Sequence, residues 1–282
     1  MTRAPEVCRC ARRNMNIIDC HDRKSSLTSV ARIYNVSESA IKAFLTDTDL
    51  ERHYKETNPQ QSGDRELTLL LERTLGCTIS PVDRVYWFHL SRAKYDADFS
   101  KGILTLNEAL PNVWDTILDI FCGTKHELPL TRLRDKGVSD FHYCLKVGSP
   151  IHAGPYAMLV RESAFQSSEM GNHDYLYLPE IMEDICNEYH TLYGEFIHDT
   201  VAASLVPHIV TFWSDKYTGK DCVESAIYYL YCVIHGHELS MYANTCFNGE
   251  NCRVPPEQIV KIEKGCELHN IHLQETLEDS RS

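Results

Sequence analysis

Apolar positions from residue 84 onward fall into short alternating runs and longer runs with helical spacing. Period-two or compact apolar runs predict strands at Arg84–His89, Pro155–Arg161, His208–Trp213, Glu238–Ala243 and Gln258–Ile262. Helical spacing predicts helices at Asn112–Phe121, closed by Gly123, at Pro179–Tyr189 with proline in the first turn, and at Asp221–His235. A mixed stretch covers Asp140–Val147. Strands and helices mix without strict βαβ alternation, so the expected class is α+β with a mostly antiparallel sheet and helical inserts. The acidic positions of the helix at 179–189 (Glu180, Glu183, Asp184, Glu188) read as a solvent-exposed face.

Upstream, Leu27, Val30, Ala31 and Tyr34 recur at helical spacing, and so do Ala40, Ile41, Phe44 and Leu45. Between them stands Asn35-Val36-Ser37. Asparagine tolerates the left-handed conformation of a tight inter-helix turn, and serine is a good cap for the helix that follows. Residues 47–65 are polar with Asn58-Pro59 and Ser62-Gly63 as breakers, which reads as a linker. A short amphipathic helix, ELTLLLERTLG, then ends at Gly76. A helical unit at 1–63 and a larger α+β unit at 64–282 are therefore expected.

Charge supports two units. Residues 1–46 carry eight Lys/Arg against four acids, near +4, whereas the whole chain of 282 residues carries −12. The remainder, near −16, does not attract nucleic acid, but a locally basic N-terminal segment could. Hydrophobic content of 43 % and charged content of 24 % suit a globular protein, and no apolar run approaches the roughly 20 residues of a membrane span. With no apolar leader at the N-terminus, a cytoplasmic location is expected.

Twelve cysteines in a reducing compartment would be thiols or metal ligands. Cys8, Cys10, Cys20 and His21 form one cluster. Cys232, His235, His237, Cys246 and Cys252 form another, from which Cys232, His235, Cys246 and Cys252 make a four-ligand zinc set. Neither contains a CxxC pair, and buried thiols acting as small hydrophobes are the preferred reading.

The hairpin at 27–45 resembles the helix-turn-helix of DNA-binding proteins. That resemblance implies a recognition helix at 38–44 with Glu38, Ser39 and Lys42 towards a groove. A helical hairpin that only packs against the rest of the chain fits the same pattern.

A second resemblance is spread over residues 84–263. A strand ending in His89-x-Ser91-Arg92, a loop, Gly102-Ile103-Leu104, and the phrase VPPEQIVKI at 254–262 are similar to ADP-ribosyltransferase-like domains. The resemblance implies NAD as co-substrate and a carboxylate beside the ribose that stabilises positive charge as nicotinamide leaves. It implies His89 at the adenosine-side ribose, Ser91 at the nicotinamide ribose or amide, Arg92 on the pyrophosphate, Tyr156 stacked on nicotinamide and Arg161 on phosphate or the acceptor. Glu238 would be the catalytic carboxylate, with Glu250 and Glu257 as alternatives. No G-x-G-x-x-G, P-loop, G-x-S-x-G or H-E-x-x-H occurs. Two functions follow as expectations: NAD-dependent ADP-ribosyl transfer or NAD cleavage by a toxin or defence-type effector, or a non-enzymatic DNA-binding regulator with a ligand-sensing C-terminal domain.

Overall fold

The computed structural model describes residues 15–148 and 153–265. In chain order the elements are β1 (Ile17–Ile18), α1 (Arg23–Tyr34), α2 (Glu38–Asp47), α3 (Leu50–Thr57), α4 (Gly63–Leu75) and β2 (Arg84–Ala93). Then follow α5 (Leu106–Ile120), α6 (Glu127–Lys136), α7 (Phe141–Gly148), β3 (Tyr156–Met158), α8 (Ser167–Met170), α9 (Glu180–Tyr193) and α10 (His198–Ser204). Last come β4 (Val206–Ser214), α11 (Lys220–His235), β5 (Cys246–Asn248) and β6 (Ile259–Lys264). The fold is α+β: the sheet runs β5-β3-β2-β4-β6 with antiparallel neighbours, and β1 adds parallel to β2. No helix among the described residues is long and apolar enough to cross a membrane.

The long pairing of β2 with β4, from Val85↔Ser214 to Ala93↔Val206, is the spine of the sheet. Alternation along β2 sends Val85 and Trp87 to one face and Phe88 and Leu90 to the other. The first face packs against α1, α2, α4 and α11 in one apolar cluster containing Val30, Ile33, Ile41, Leu67, Phe212 and Leu230. The second packs with Met158, Ala164 and Ile209. A separate helical cluster joins α5, α6, α7, α9 and α10 through residues such as Trp114, Leu130 and Ile185.

The turn between α1 and α2 forms as its residues dictate. Asn35 is left-handed at φ 53°, with its N–H bonded to the carbonyl of Arg32, and Ser37 Oγ accepts from Ala40 N at 3.2 Å. The helices before residue 63 have no core of their own, however. They share the cluster of the sheet and α11, so the division expected at residue 63 separates no two cores.

Several expected elements differ. The segment taken as a linker contains α3, capped by Asp49 (Arg52 N to Oδ1, 2.8 Å) and stopped by left-handed Asn58. Ion pairs four residues apart, Glu51–Lys55 and Arg52–Glu56, support this polar helix, while Leu50 is buried. The strand expected at Glu238–Ala243 is absent: Gly236 ends α11 at φ 66°, and Met241–Ala243 is a 3-10 turn packed on α11 and α4. Only Tyr156–Met158 of the expected 155–161 strand is extended in the sheet, and Arg161–Phe165 turns into a 3-10 helix. The mixed stretch is helix α7, and the last strand is Ile259–Lys264.

Candidate functional site

Beyond Leu90 the apolar cover of β2 gives out, and the strand end opens on a cavity of about 820 Å³. Its walls come from β2, the segment 94–104, α5, α7, the start of β3 and the start of α9. Apolar and small side chains dominate, including Ile103, Leu106, Ala109, Val113, Leu145 and Met182. That size and lining match a small-molecule pocket.

The Gly102-Ile103-Leu104 phrase shapes one wall. Ile103 and Val254 exchange both backbone hydrogen bonds, at 3.0 and 2.9 Å. Gly102 sits at φ 82°, and a Cβ there would lie 2.0 Å from the Val254 carbonyl oxygen. Only glycine allows this approach. Thr105 then caps α5, its N–H bonded to Glu108 Oε2 at 3.2 Å.

His89 and Ser91 lie one above the other on the same face of β2, and both line the cavity, as do Arg92 and Tyr156. The His89 ring is tied to the backbone by a 2.7 Å contact between Nδ1 and the Tyr156 carbonyl oxygen. A carbonyl only accepts, so Nδ1 carries the proton and the neutral ring keeps its lone pair on Nε2. Burial lowers the His89 pKa from its ordinary value, and the carbonyl bond opposes this only in part. The folded chain thus resists a proton that the unfolded chain accepts below pH about 6.5. His89 contributes stability above that pH and loses it as pH falls. We expect urea midpoints to drop less between pH 7 and pH 5 in His89→Gln than in the wild type; equal drops would remove this assignment.

The remaining predicted site residues separate. Arg92 spends its guanidinium on backbone, donating from Nε to the Ala202 carbonyl (2.7 Å) and from a terminal nitrogen to the Leu176 carbonyl (2.5 Å). This fixes the start of α9 and the end of α10 relative to β2. Arg161 is 1 % exposed, away from the cavity lining, and pairs with Glu263 through two hydrogen bonds at 3.2 and 3.1 Å. Glu238, Glu250 and Glu257 are all exposed, and none lines the cavity. Glu238 follows the end of α11 without entering a strand, Glu250 sits in the turn after β5, and Glu257 lies in a 3-10 turn before β6.

A carboxylate that the sequence reading placed on a solvent face reaches the cavity instead. Glu180, the first residue of α9, accepts from Tyr175 Oη at 2.8 Å and pairs with Lys146 of α7 at 3.0 Å. Burial alone would raise its pKa, but the Tyr175 hydrogen bond and the Lys146 ammonium pull it below the ordinary value. Lys146 also binds Asp184, one helical turn further along α9, at 2.8 Å. Burial works against the Lys146 charge, yet its bonds to Asp184 and Glu180 hold its pKa above the ordinary value. Of the other acidic positions of that face, Glu183 is half-exposed, whereas Asp184 and Glu188 are buried and Ser139 Oγ donates to Glu188 at 2.6 Å. The i, i+4 spacing of Glu180 and Asp184 was legible, but the ammonium they share, Lys146, comes from a separate helix 38 residues before Asp184.

Away from the cavity lining, α2 exposes Glu38, Ser39 and Lys42. Glu38 accepts from Thr28 Oγ1 at 2.7 Å, and Ser39 Oγ lies 2.9 Å from Ser37 Oγ. Lys42 shares this helix with Glu38 and Asp47, so its exposed surface is not a basic stripe.

The zinc set is dispersed. Cys232 is buried in α11 with its thiol pushed up to about 12 by burial, His235 Nε2 lies 2.8 Å from the Leu45 carbonyl, and Cys246 and Cys252 are exposed. Among the described residues no three His, Cys, Asp or Glu side chains are placed to hold a metal ion. Of the other cluster, Cys8 and Cys10 lie outside the described residues, and Cys20 is buried with its thiol also near 12 because of burial. Comparison of the chain with known protein families, with curated proteins and with solved structures finds no match.

Proposed function

We propose that this chain binds a small organic molecule in the cavity at the end of β2, with an apolar body against α5 and α7 and polar groups at His89 and Glu180. The observation that carries this reading is the cavity itself: about 820 Å³, mostly apolar, with a neutral imidazole and an ionised carboxylate in its lining. A groove of that kind supplies desolvation for affinity and a few directional contacts for orientation.

An enzymatic form of the same reading is NAD cleavage. With Glu238, Glu250 and Glu257 outside the cavity, the carboxylate beside the ribose would have to be Glu180. Its ionised state suits the stabilisation of an oxocarbenium-like centre.

The test uses the neutral fluorescent probe N-phenyl-1-naphthylamine. We expect its emission to rise on binding the wild type, and Ala109→Trp, which fills the cavity from α5, to weaken binding at least tenfold without changing the circular dichroism. Absence of binding to the wild type, or unaltered binding to the filled variant, would refute the site. Nicotinamide release from NAD is measured in parallel, and Glu180→Gln must abolish it if cleavage is the activity.

A further inference from the structure

Three of the four cations that line the cavity are already engaged. Arg92 donates to two backbone carbonyls, Lys94 pairs with Asp119 at 2.7 Å, and Lys146 is held between Glu180 and Asp184. The mouth segment adds Lys101, in company with Asp96 and Asp98. The lining as a whole holds four cations (Arg92, Lys94, Lys101, Lys146) and three carboxylates (Asp96, Asp98, Glu180), but at the Glu180 corner the single ammonium of Lys146 stands between two carboxylates, Glu180 and Asp184, so that corner is locally acidic.

The polar groups of defined state are acceptors. His89 offers the Nε2 lone pair, because its Nδ1 hydrogen is spent on Tyr156 O. Glu180 accepts one bond at each oxygen, from Tyr175 and Lys146, and a carboxylate oxygen has room for a second donor. A ligand phosphate or carboxylate at this corner would meet acceptors and a locally negative surround, with Lys146 already held between two carboxylates. A ligand that donates hydrogen bonds and carries positive charge would complement the acceptors at this corner.

Building on the cavity reading above, we infer that the site selects a primary amine attached to an aromatic body, the arylalkylamine class, and discriminates against the anion of the same shape. The ammonium group sits within reach of the Glu180 carboxylate, one of its hydrogens or a neighbouring ring N–H is accepted by His89 Nε2, and the ring lies along the apolar wall formed by Ile103, Val113 and Leu145. Coulomb attraction to Glu180 is strengthened by the apolar surroundings, which screen less than water does.

The experiment is displacement of bound N-phenyl-1-naphthylamine by tryptamine and by indole-3-acetate, which share a ring system and differ in charge. We expect tryptamine to displace the probe at least tenfold more effectively at pH 7.5. In Glu180→Gln the two should fall within about threefold of each other. Equal or better displacement by indole-3-acetate from the wild type overturns the inference while leaving the cavity reading intact, because the neutral probe still binds. So does a tenfold preference that survives in Glu180→Gln. Failure of the neutral probe itself overturns both. The wild-type ratio decides the matter even if Glu180→Gln does not fold, and Tyr175→Phe then serves as the second variant: it removes one donor to Glu180 and should raise, not lower, the preference for the amine.

Discussion

Glu263→Ala should lower the unfolding free energy by about 3–5 kcal/mol, the range found when one partner of a buried ion pair is removed. Arg161 and Glu263 are each 1 % exposed, and the guanidinium reaches both carboxylate oxygens. Lys261, half-exposed two residues earlier on the same strand, adds a second cation 3.2 Å from Glu263 Oε1. Taking the carboxylate away leaves a guanidinium in a place that water cannot reach and brings Lys261 closer to it in electrostatic terms. The pair joins β6 to the 3-10 turn at Arg161–Phe165, so its loss loosens the sheet edge against the turn behind it. The double change Arg161→Met with Glu263→Leu should recover most of the loss, because it removes both buried charges together and keeps the volume filled. Urea denaturation of the three variants is the measurement. A single change costing less than about 1 kcal/mol would mean that the pair is solvated in solution.

Trp87→Ala is expected to cost a similar amount, about 3–5 kcal/mol, through the cavity it leaves. Trp87 is 1 % exposed on the face of β2 that meets the N-terminal helices and α11, and its ring lies 5.7 Å from that of Phe247. Its indole Nε1 is buried without a hydrogen-bond partner, so Trp87→Phe removes an unsatisfied donor as well as volume and should cost much less than alanine. Because α1, α2 and α4 share this cluster with the sheet, their amides should lose hydrogen-exchange protection together with those of β2 in the alanine variant. Separate unfolding of the helices and the sheet, seen as two transitions, would show that the shared core does not couple them.

The parts of this molecule that were legible in its sequence are those set by neighbours a few residues away. Asn35 and Ser37 announce the turn between α1 and α2 because a left-handed residue and a cap act within one turn of helix. The strand at 84–93 and the helix at 220–235 are visible as periodic apolar runs, since each buries a continuous face. His89, Ser91 and Arg92 stood out as a polar cluster at a strand end, and all three do line the cavity. Polar α3 was hidden for the opposite reason. Its support comes from caps and ion pairs, and an apolar pattern barely exists in LERHYKET.

What the fold alone decided is which charged groups meet. Glu238, Glu250 and Glu257 were chosen for their places near expected strands, but one of those strands is a 3-10 turn and the others leave the three side chains in solvent. Glu180 joins His89 in one cavity because α9 starts beside the end of β2, a placement held by Arg92 reaching the carbonyls of Leu176 and Ala202. Its charge is set by Lys146 and Tyr175, and Arg161 is claimed by Glu263 from a strand 102 residues away. Local periodicity and capping are short-range forces and can be read along the chain. The pairing of charges across a low-dielectric interior depends on which elements pack together, and no run of neighbouring residues encodes that.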